Sequence, residues 1–111
     1  MSGSDTFPIR LGDLLIYRSL VKVRRGQRDI RLTRKEMAVL WTLVSETGKA
    51  FRRDELLRQA WGQDVFVSLR TVDVYISRLR KKLVFRPARV PLIETVWGVG
   101  YRLRHPGQTE P

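Results

Sequence analysis

Drawn as a helix at about 100° per residue, the segment Leu69 to Leu83 (LRTVDVYISRLRKKL) turns Arg70, Thr71, Val74, Ser77, Arg78 and Lys81 to one side, with Asp73, Tyr75, Arg80 and Lys82 on the flanks. The other side gathers Val72, Ile76, Leu79 and Leu83 into a narrow apolar stripe, with Leu69 at its edge. The stripe belongs in a core. The polar side carries the groups that read base edges in the major groove of duplex DNA: guanidinium for guanine, hydroxyls for several bases, a carboxylate for the cytosine amino group, and a branched aliphatic for the thymine methyl. A charge run is more often a solvated face supported by pairs three or four residues apart. Here the cations have few acidic neighbours at those spacings, and Val74 at the middle of a polar face serves no purpose in a merely soluble helix.

The whole chain carries the same bias. It has 22 Lys and Arg against 11 Asp and Glu in 111 residues, a net charge of +11, and a polyanion is the natural partner for such a surface. Composition alone would equally suit a ribosomal-type basic protein. The distribution is more telling, because between Leu69 and Arg104 the basic residues are Arg70, Arg78, Arg80, Lys81, Lys82, Arg86, Arg89, Arg102 and Arg104, against only Asp73 and Glu94. With 42% hydrophobic residues the chain has enough apolar material for one folded domain, and its length is too short for two.

Other chemistries find little support. Without cysteine there is no disulfide framework, thiolate zinc site or cysteine nucleophile. The single histidine, His105, lies in the tail, and no Asp/Glu cluster has metal-site or acid-base spacing, so neither a metal, a cofactor nor an enzyme activity is expected. No apolar run approaches a membrane span, and Met1 to Arg10 lacks a signal-peptide layout, which makes a reducing cytoplasm the default.

The elements that must position the reading helix can be drawn from pattern. Short apolar pieces, Ile9 to Leu11, Leu14 to Tyr17, Leu20 to Val23 and Ile30 to Leu32, separated by Gly12-Asp13 and Arg25-Gly26-Gln27, predict four short antiparallel strands. Thr33-Arg-Lys-Glu36 has the form of a capping box and starts a helix with Met37, Leu40, Trp41 and Val44 on its apolar face; Trp41 is expected as a core aromatic and Gly48 as the terminator. A second helix is predicted over Arg53 to Trp61, stopped by Gly62, and Ser68 is placed to cap the third. Two β-type runs, Leu92 to Val96 and Tyr101 to Leu103, flank Trp97-Gly-Val-Gly100 and predict a hairpin, with Arg102 and Arg104 on one face beside the groove. The class is α+β. Residues 1–7 and 105–111 are expected as flexible ends of a domain spanning 8–104.

Read in order, Asp29 to Glu36 (DIRLTRKE), Arg53 to Leu57 (RDELL), Ala60-Trp-Gly62, Arg70 to Leu83 (RTVDVYISRLRKKL) and Glu94 to Leu103 (ETVWGVGYRL) closely resemble the C-terminal effector domain of OmpR/PhoB-type response regulators. The resemblance covers nearly everything from Ile9 to Leu103. It implies a winged helix-turn-helix: a four-stranded N-terminal sheet, three helices with the third in the major groove, and a C-terminal β-hairpin wing over the minor groove. By position, Arg78, Asp73 and Val74 look like base contacts. Arg70, Thr71, Tyr75, Ser77, Arg80, Trp61, Thr95 and Tyr101 match backbone-contact positions, joined by Lys81 from the helix face and Arg102 from the hairpin. Gln63, Asp64, Val65, Phe66, Val67 and Ser68 match a loop that touches RNA polymerase in activators of the family, although Phe66 reads more readily as a plug beneath the turn.

The resemblance further implies a monomer that binds direct-repeat DNA as a tandem dimer, with a receiver domain expected on the N-terminal side in the full protein and a stand-alone regulator as the alternative. Trp97 stands at the wing tip where relatives often carry an Arg, and its indole either reaches DNA or folds back onto the hairpin or third helix. The rival to duplex DNA is structured RNA or a protein partner, since winged helices bind both and fold does not fix function.

Overall fold

The computed structural model describes residues 7–63, 66–84 and 92–104. Most of both expected flexible ends, and with them His105, falls outside these residues, as do Asp64 and Val65 of the loop. Four strands, β1 (Ile9–Leu11), β2 (Leu14–Tyr17), β3 (Lys22–Arg25) and β4 (Arg28–Arg31), form an antiparallel sheet in sequence order. Its inward face carries Leu11, Leu14, Ile16 and Val23, all buried.

The last two strands differ from the pattern reading. Leu20 and Val21, expected in the third strand, lie in a turn, and Leu20 is exposed. Gly26, at φ 61°, closes the β3 to β4 turn tightly, and the resulting register pairs Val23 with Ile30. That alignment starts β4 at Arg28 and leaves Leu32 beyond its end. Val21 is held at φ 53°, a strained region for a β-branched residue, by its own N–H on Arg18 O and by Leu32 N–H on Val21 O.

Helix α1 (Arg34–Ser45) begins with the capping box its sequence prescribes: the Glu36 N–H donates to Thr33 Oγ1 at 3.1 Å, and the Thr33 N–H donates to Glu36 Oε1 at 2.8 Å. Met37, Val39, Leu40, Leu43 and Val44 are buried, while Trp41 packs at the core edge under the Arg18 guanidinium. The helix ends at Glu46 rather than at Gly48, whose N–H instead reaches Leu103 O at 3.1 Å.

A two-residue strand that the pattern did not show, β5 (Phe51–Arg52), precedes α2 (Arg53–Trp61). It joins β6 (Ile93–Val96) and β7 (Gly100–Leu103) in a second sheet of order β5-β7-β6. Gly100 permits this, because a Cβ there would overlap the Phe51 carbonyl oxygen. Helix α3 (Leu69–Lys82) buries Val72, Ile76 and Leu79 completely. Ser68 occupies its N-cap position without a side-chain cap bond; its carbonyl oxygen accepts the Thr71 N–H at 3.0 Å.

Glu36 also fastens α3 to α1. It is 2% exposed, and Lys82 Nζ donates to its Oε1 at 2.7 Å and to Arg31 O at 3.3 Å. Burial pushes the Glu36 carboxyl up, but the Lys82 ammonium and the Thr33 hydrogen bonds outweigh it and hold the group below the usual carboxylate range. No helix among the described residues is long and apolar enough to cross a membrane.

Candidate nucleic-acid interface

The outer face of α3 has the composition expected of it. Arg70, Ser77, Arg78 and Lys81 are exposed, Thr71 and Tyr75 are half-buried, and Val74 is 42% exposed in their midst. Arg70 and Lys81 have no acidic partner among the described residues. Arg78 lies over the Tyr75 ring, 4.9 Å from its centroid, and Tyr75 meets Trp61 edge-on at 5.1 Å. Lys35, which the sequence reading passed over, covers Trp61 at 5.2 Å and donates to Ala60 O at 3.0 Å. The two aromatics thus act as a strut that sets the planar Arg78 fork from below, and a cation at each end favours their faces.

Asp73 is engaged on the flank of α3. Arg53, the first residue of α2, grips it with Nε on Oδ1 at 3.1 Å and Nη2 on Oδ2 at 2.7 Å, and Tyr101 donates its hydroxyl to Oδ1 at 2.7 Å. Burial and the Asp73 carboxylate raise the Tyr101 pKa above its usual value. Since a phosphate oxygen only accepts, the single phenolic hydrogen serves Asp73 or a phosphate, not both. Arg53 was also missed in the sequence; a pair separated by twenty residues, joining the start of one helix to the side of another, leaves no local signal.

The hairpin register sorts the remaining residues onto two faces. Thr95 lies opposite Tyr101 and faces α3, whereas Glu94 lies opposite Arg102 on the other side. Arg80 spans from α3 to the first face, donating Nε to Ile93 O at 3.0 Å and Nη2 to Thr95 Oγ1 at 2.7 Å, with Tyr101 beneath it at 5.5 Å. Arg102 binds Glu94 at 2.8 Å on the far face, and Arg104 approaches the same carboxylate at 3.6 Å. Arg80, Thr95 and Tyr101 therefore form one cluster with α3, and Arg102 stands apart from it.

Two apolar residues are more open than an internal role allows. Trp97 follows Val96 in a turn closed by the Val99 N–H on Val96 O at 2.9 Å, with Gly98 at φ 83° in the third position, which requires positive φ. It is 89% exposed, so it folds back on neither the hairpin nor α3. Phe66 is 101% exposed and so does not plug the turn. Gln63 and Ser68 beside it are exposed and Val67 is half-buried.

The family model described as transcriptional regulatory protein, C terminal, matches residues 26–103. The phosphate regulon transcriptional regulatory protein PhoB of Rhizobium meliloti (strain 1021) is 43% identical over 96 residues, which make up 86% of this chain and 41% of that protein. The chain thus spans less than half the length of that relative. Among solved structures, the DNA-binding domain of E. coli CadC aligns over 89% of this chain and 94% of its own, with TM-score 0.80 and 31% identity. Thermotoga maritima DrrB, an OmpR/PhoB homologue, aligns over 87% of this chain and 44% of its own, with TM-score 0.75 and 36% identity. The AdeR DNA-binding domain, solved in complex with an intercistronic region, aligns over 88% of this chain and 100% of its own, with TM-score 0.72 and 28% identity. Sheet, three helices, terminal hairpin and family match agree: the chain belongs to the C-terminal domains of transcriptional regulatory proteins, the DNA-binding winged helices of OmpR/PhoB-type response regulators.

Proposed function

We propose that α3 enters the major groove of duplex DNA with Arg78, Asp73 and Val74 on base edges and Arg70, Thr71, Ser77 and Lys81 on the flanking backbone. The β6–β7 wing then lies near the adjacent minor groove, with Trp97 at its tip. The observation that carries this reading is the face itself: an exposed Val among cations that lack acidic partners among the described residues, on a helix whose opposite side is fully buried. Phosphates would satisfy those cations and a thymine methyl would cover Val74. Trp61 and Tyr75 act by propping Arg78. Arg80, Thr95 and Tyr101 act by fixing the wing to α3, and Arg102, already paired to Glu94, adds a weaker phosphate contact.

In the full protein the domain would be the output of a cytoplasmic response regulator, with a receiver domain on its N-terminal side, binding direct-repeat sites as a tandem pair. The fully exposed Phe66 supports a polymerase-contact role for the loop 63–68. Mobility-shift titrations with duplex DNA, duplex RNA and single strands at two salt concentrations test the core of the proposal. Preference for duplex DNA with a steep salt dependence is expected. Equal or tighter binding to duplex RNA would overturn it.

A further inference from the structure

Asp73 presents a physical problem, because a carboxylate brought among DNA phosphates is repelled by them, and the base acceptors that fill much of the major groove repel it as well. The structure resolves it with two residues from other elements. Arg53 forms a two-point ion pair with the carboxylate and cancels its charge, and Tyr101 adds a third donor. An ionised carboxylate offers about four lone-pair positions, two on each oxygen. Oδ1 uses both, one on Arg53 Nε and one on the Tyr101 hydroxyl, whereas Oδ2 uses one, on Arg53 Nη2. One acceptor position is left, on Oδ2. The side chain is 36% exposed, and next in sequence stands Val74, which opens to solvent on the outer face.

We infer that Arg53 and Tyr101 are positioning residues that convert Asp73 into a fixed single acceptor without net charge, set to receive one N–H from a base amino group. This rests on the reading of α3 as the recognition helix. The groups that fit are the cytosine and adenine amino groups, the major-groove donors; the O6 and N7 of guanine and O4 of thymine would face the Oδ2 lone pair and be rejected. The three donors come from α2 and β7, so the aim of the acceptor is fixed by the packing of α2, α3 and the wing rather than by the free rotation of a surface Asp. The clamp stays closed on DNA, because releasing it would exchange a two-point charged contact and a phenol bond for one additional bond to DNA.

The test begins with a duplex site selected by the wild-type domain from random DNA. Affinities for all single-base variants of that site are then measured for wild type, Asp73→Ala, Tyr101→Phe and Arg53→Lys, at several salt concentrations and below each variant's melting temperature. Asp73→Ala is expected to flatten discrimination at one base pair by about tenfold. Tyr101→Phe, which removes only the hydroxyl, and Arg53→Lys, which keeps the charge but loses the two-point grip, are each expected to blunt that same position several-fold. In Tyr101→Phe and Arg53→Lys the other positions and the salt slope should stay as in wild type, whereas Asp73→Ala uncovers the Arg53 charge and steepens the slope. If Asp73→Ala flattens no position, Asp73 is not a base contact and the inference falls, while the reading of α3 is decided separately by whether Arg78→Ala loses discrimination. If Asp73→Ala flattens a position that Tyr101→Phe and Arg53→Lys leave intact, the clamp is overturned while the reading of α3 stands. A uniform loss across all sites in Tyr101→Phe would assign the phenol to phosphate and overturn it also.

Discussion

Arg80→Met separates a residue that holds the wing from one that holds DNA. Leu92 O accepts the Arg104 N–H at 2.7 Å, so strand alternation turns the next carbonyl, that of Ile93, to the open edge of β6, where Arg80 Nε is its donor at 3.0 Å. Ile93 is 1% exposed, leaving little water to replace that donor. An unsatisfied carbonyl in such a place costs about 1–3 kcal/mol, and the lost guanidinium contact on Tyr101 costs roughly a further 0.5–1 kcal/mol. Thr95 is half-buried and recovers part of its lost bond from solvent. Methionine fills most of the volume, so the net expectation is a loss of about 2–3 kcal/mol, or roughly 10–20 °C in melting temperature for a domain of this size. Urea unfolding at constant m-value measures the loss, and hydrogen exchange should show it concentrated in β6 and β7. Because the guanidinium points inward, the salt slope of DNA binding should stay within about half a counterion of wild type. Stability within about 0.5 kcal/mol of wild type, together with a slope reduced by about one counterion, would show that Arg80 serves phosphate instead and refute this reasoning.

Glu36→Gln should cost about 2 kcal/mol at neutral pH by uncoupling Lys82 while keeping an oxygen for the Thr33 N–H. Because the folded-state pKa of Glu36 is lowered, its contribution is present above the unfolded carboxylate range and disappears as pH falls through the folded value. The variant should therefore lose stability less steeply on acidification, as urea titrations between neutral and acid pH would show; an unchanged acid limb would speak against the coupling. Gly100→Ala would drive a Cβ into the Phe51 carbonyl and to 3.1 Å from Arg52 Cα, costing about 2–3 kcal/mol in thermal unfolding, and a neutral result would deny the close approach of β5 to β7. Trp97→Arg should leave stability unchanged, since the side chain is 89% exposed, yet tighten DNA binding, steepen its salt dependence by about one counterion and raise the preference for A-tract flanks. Equal slopes and flank preferences in salt titrations would show that residue 97 never reaches DNA.

The features legible in the sequence are those that a few neighbouring residues determine. The bounds of α2, Arg53–Trp61, follow from an apolar face and the Gly62 stop, and the α1 start follows from a capping box complete within four residues. The buried stripe of α3 was readable for the same reason. What escaped was decided by distant partners. β5 exists because Gly100 lets β7 approach Phe51, and two residues carry no alternation of their own. The displacement of β3 and β4 followed from Gly26 setting the turn, against a hydrophobic run that favoured Leu20 and Val21. At the site, residue types marked the outer face of α3 as the candidate reading face. They did not show that Asp73, Arg80 and Tyr101 bind protein groups, or that Lys35 packs on Trp61 and Arg53 pairs with Asp73 of α3.

The central claim is that the outer face of α3 reads sequence, and its most direct test is the ratio of affinities for the selected site and a scrambled duplex, measured across salt for wild type and Arg78→Ala. A guanidinium on a base edge is worth roughly 1–3 kcal/mol of discrimination, so the variant should lose about tenfold or more of that ratio while keeping much of its salt-sensitive binding to both duplexes. An unchanged ratio in Arg78→Ala would contradict the claim.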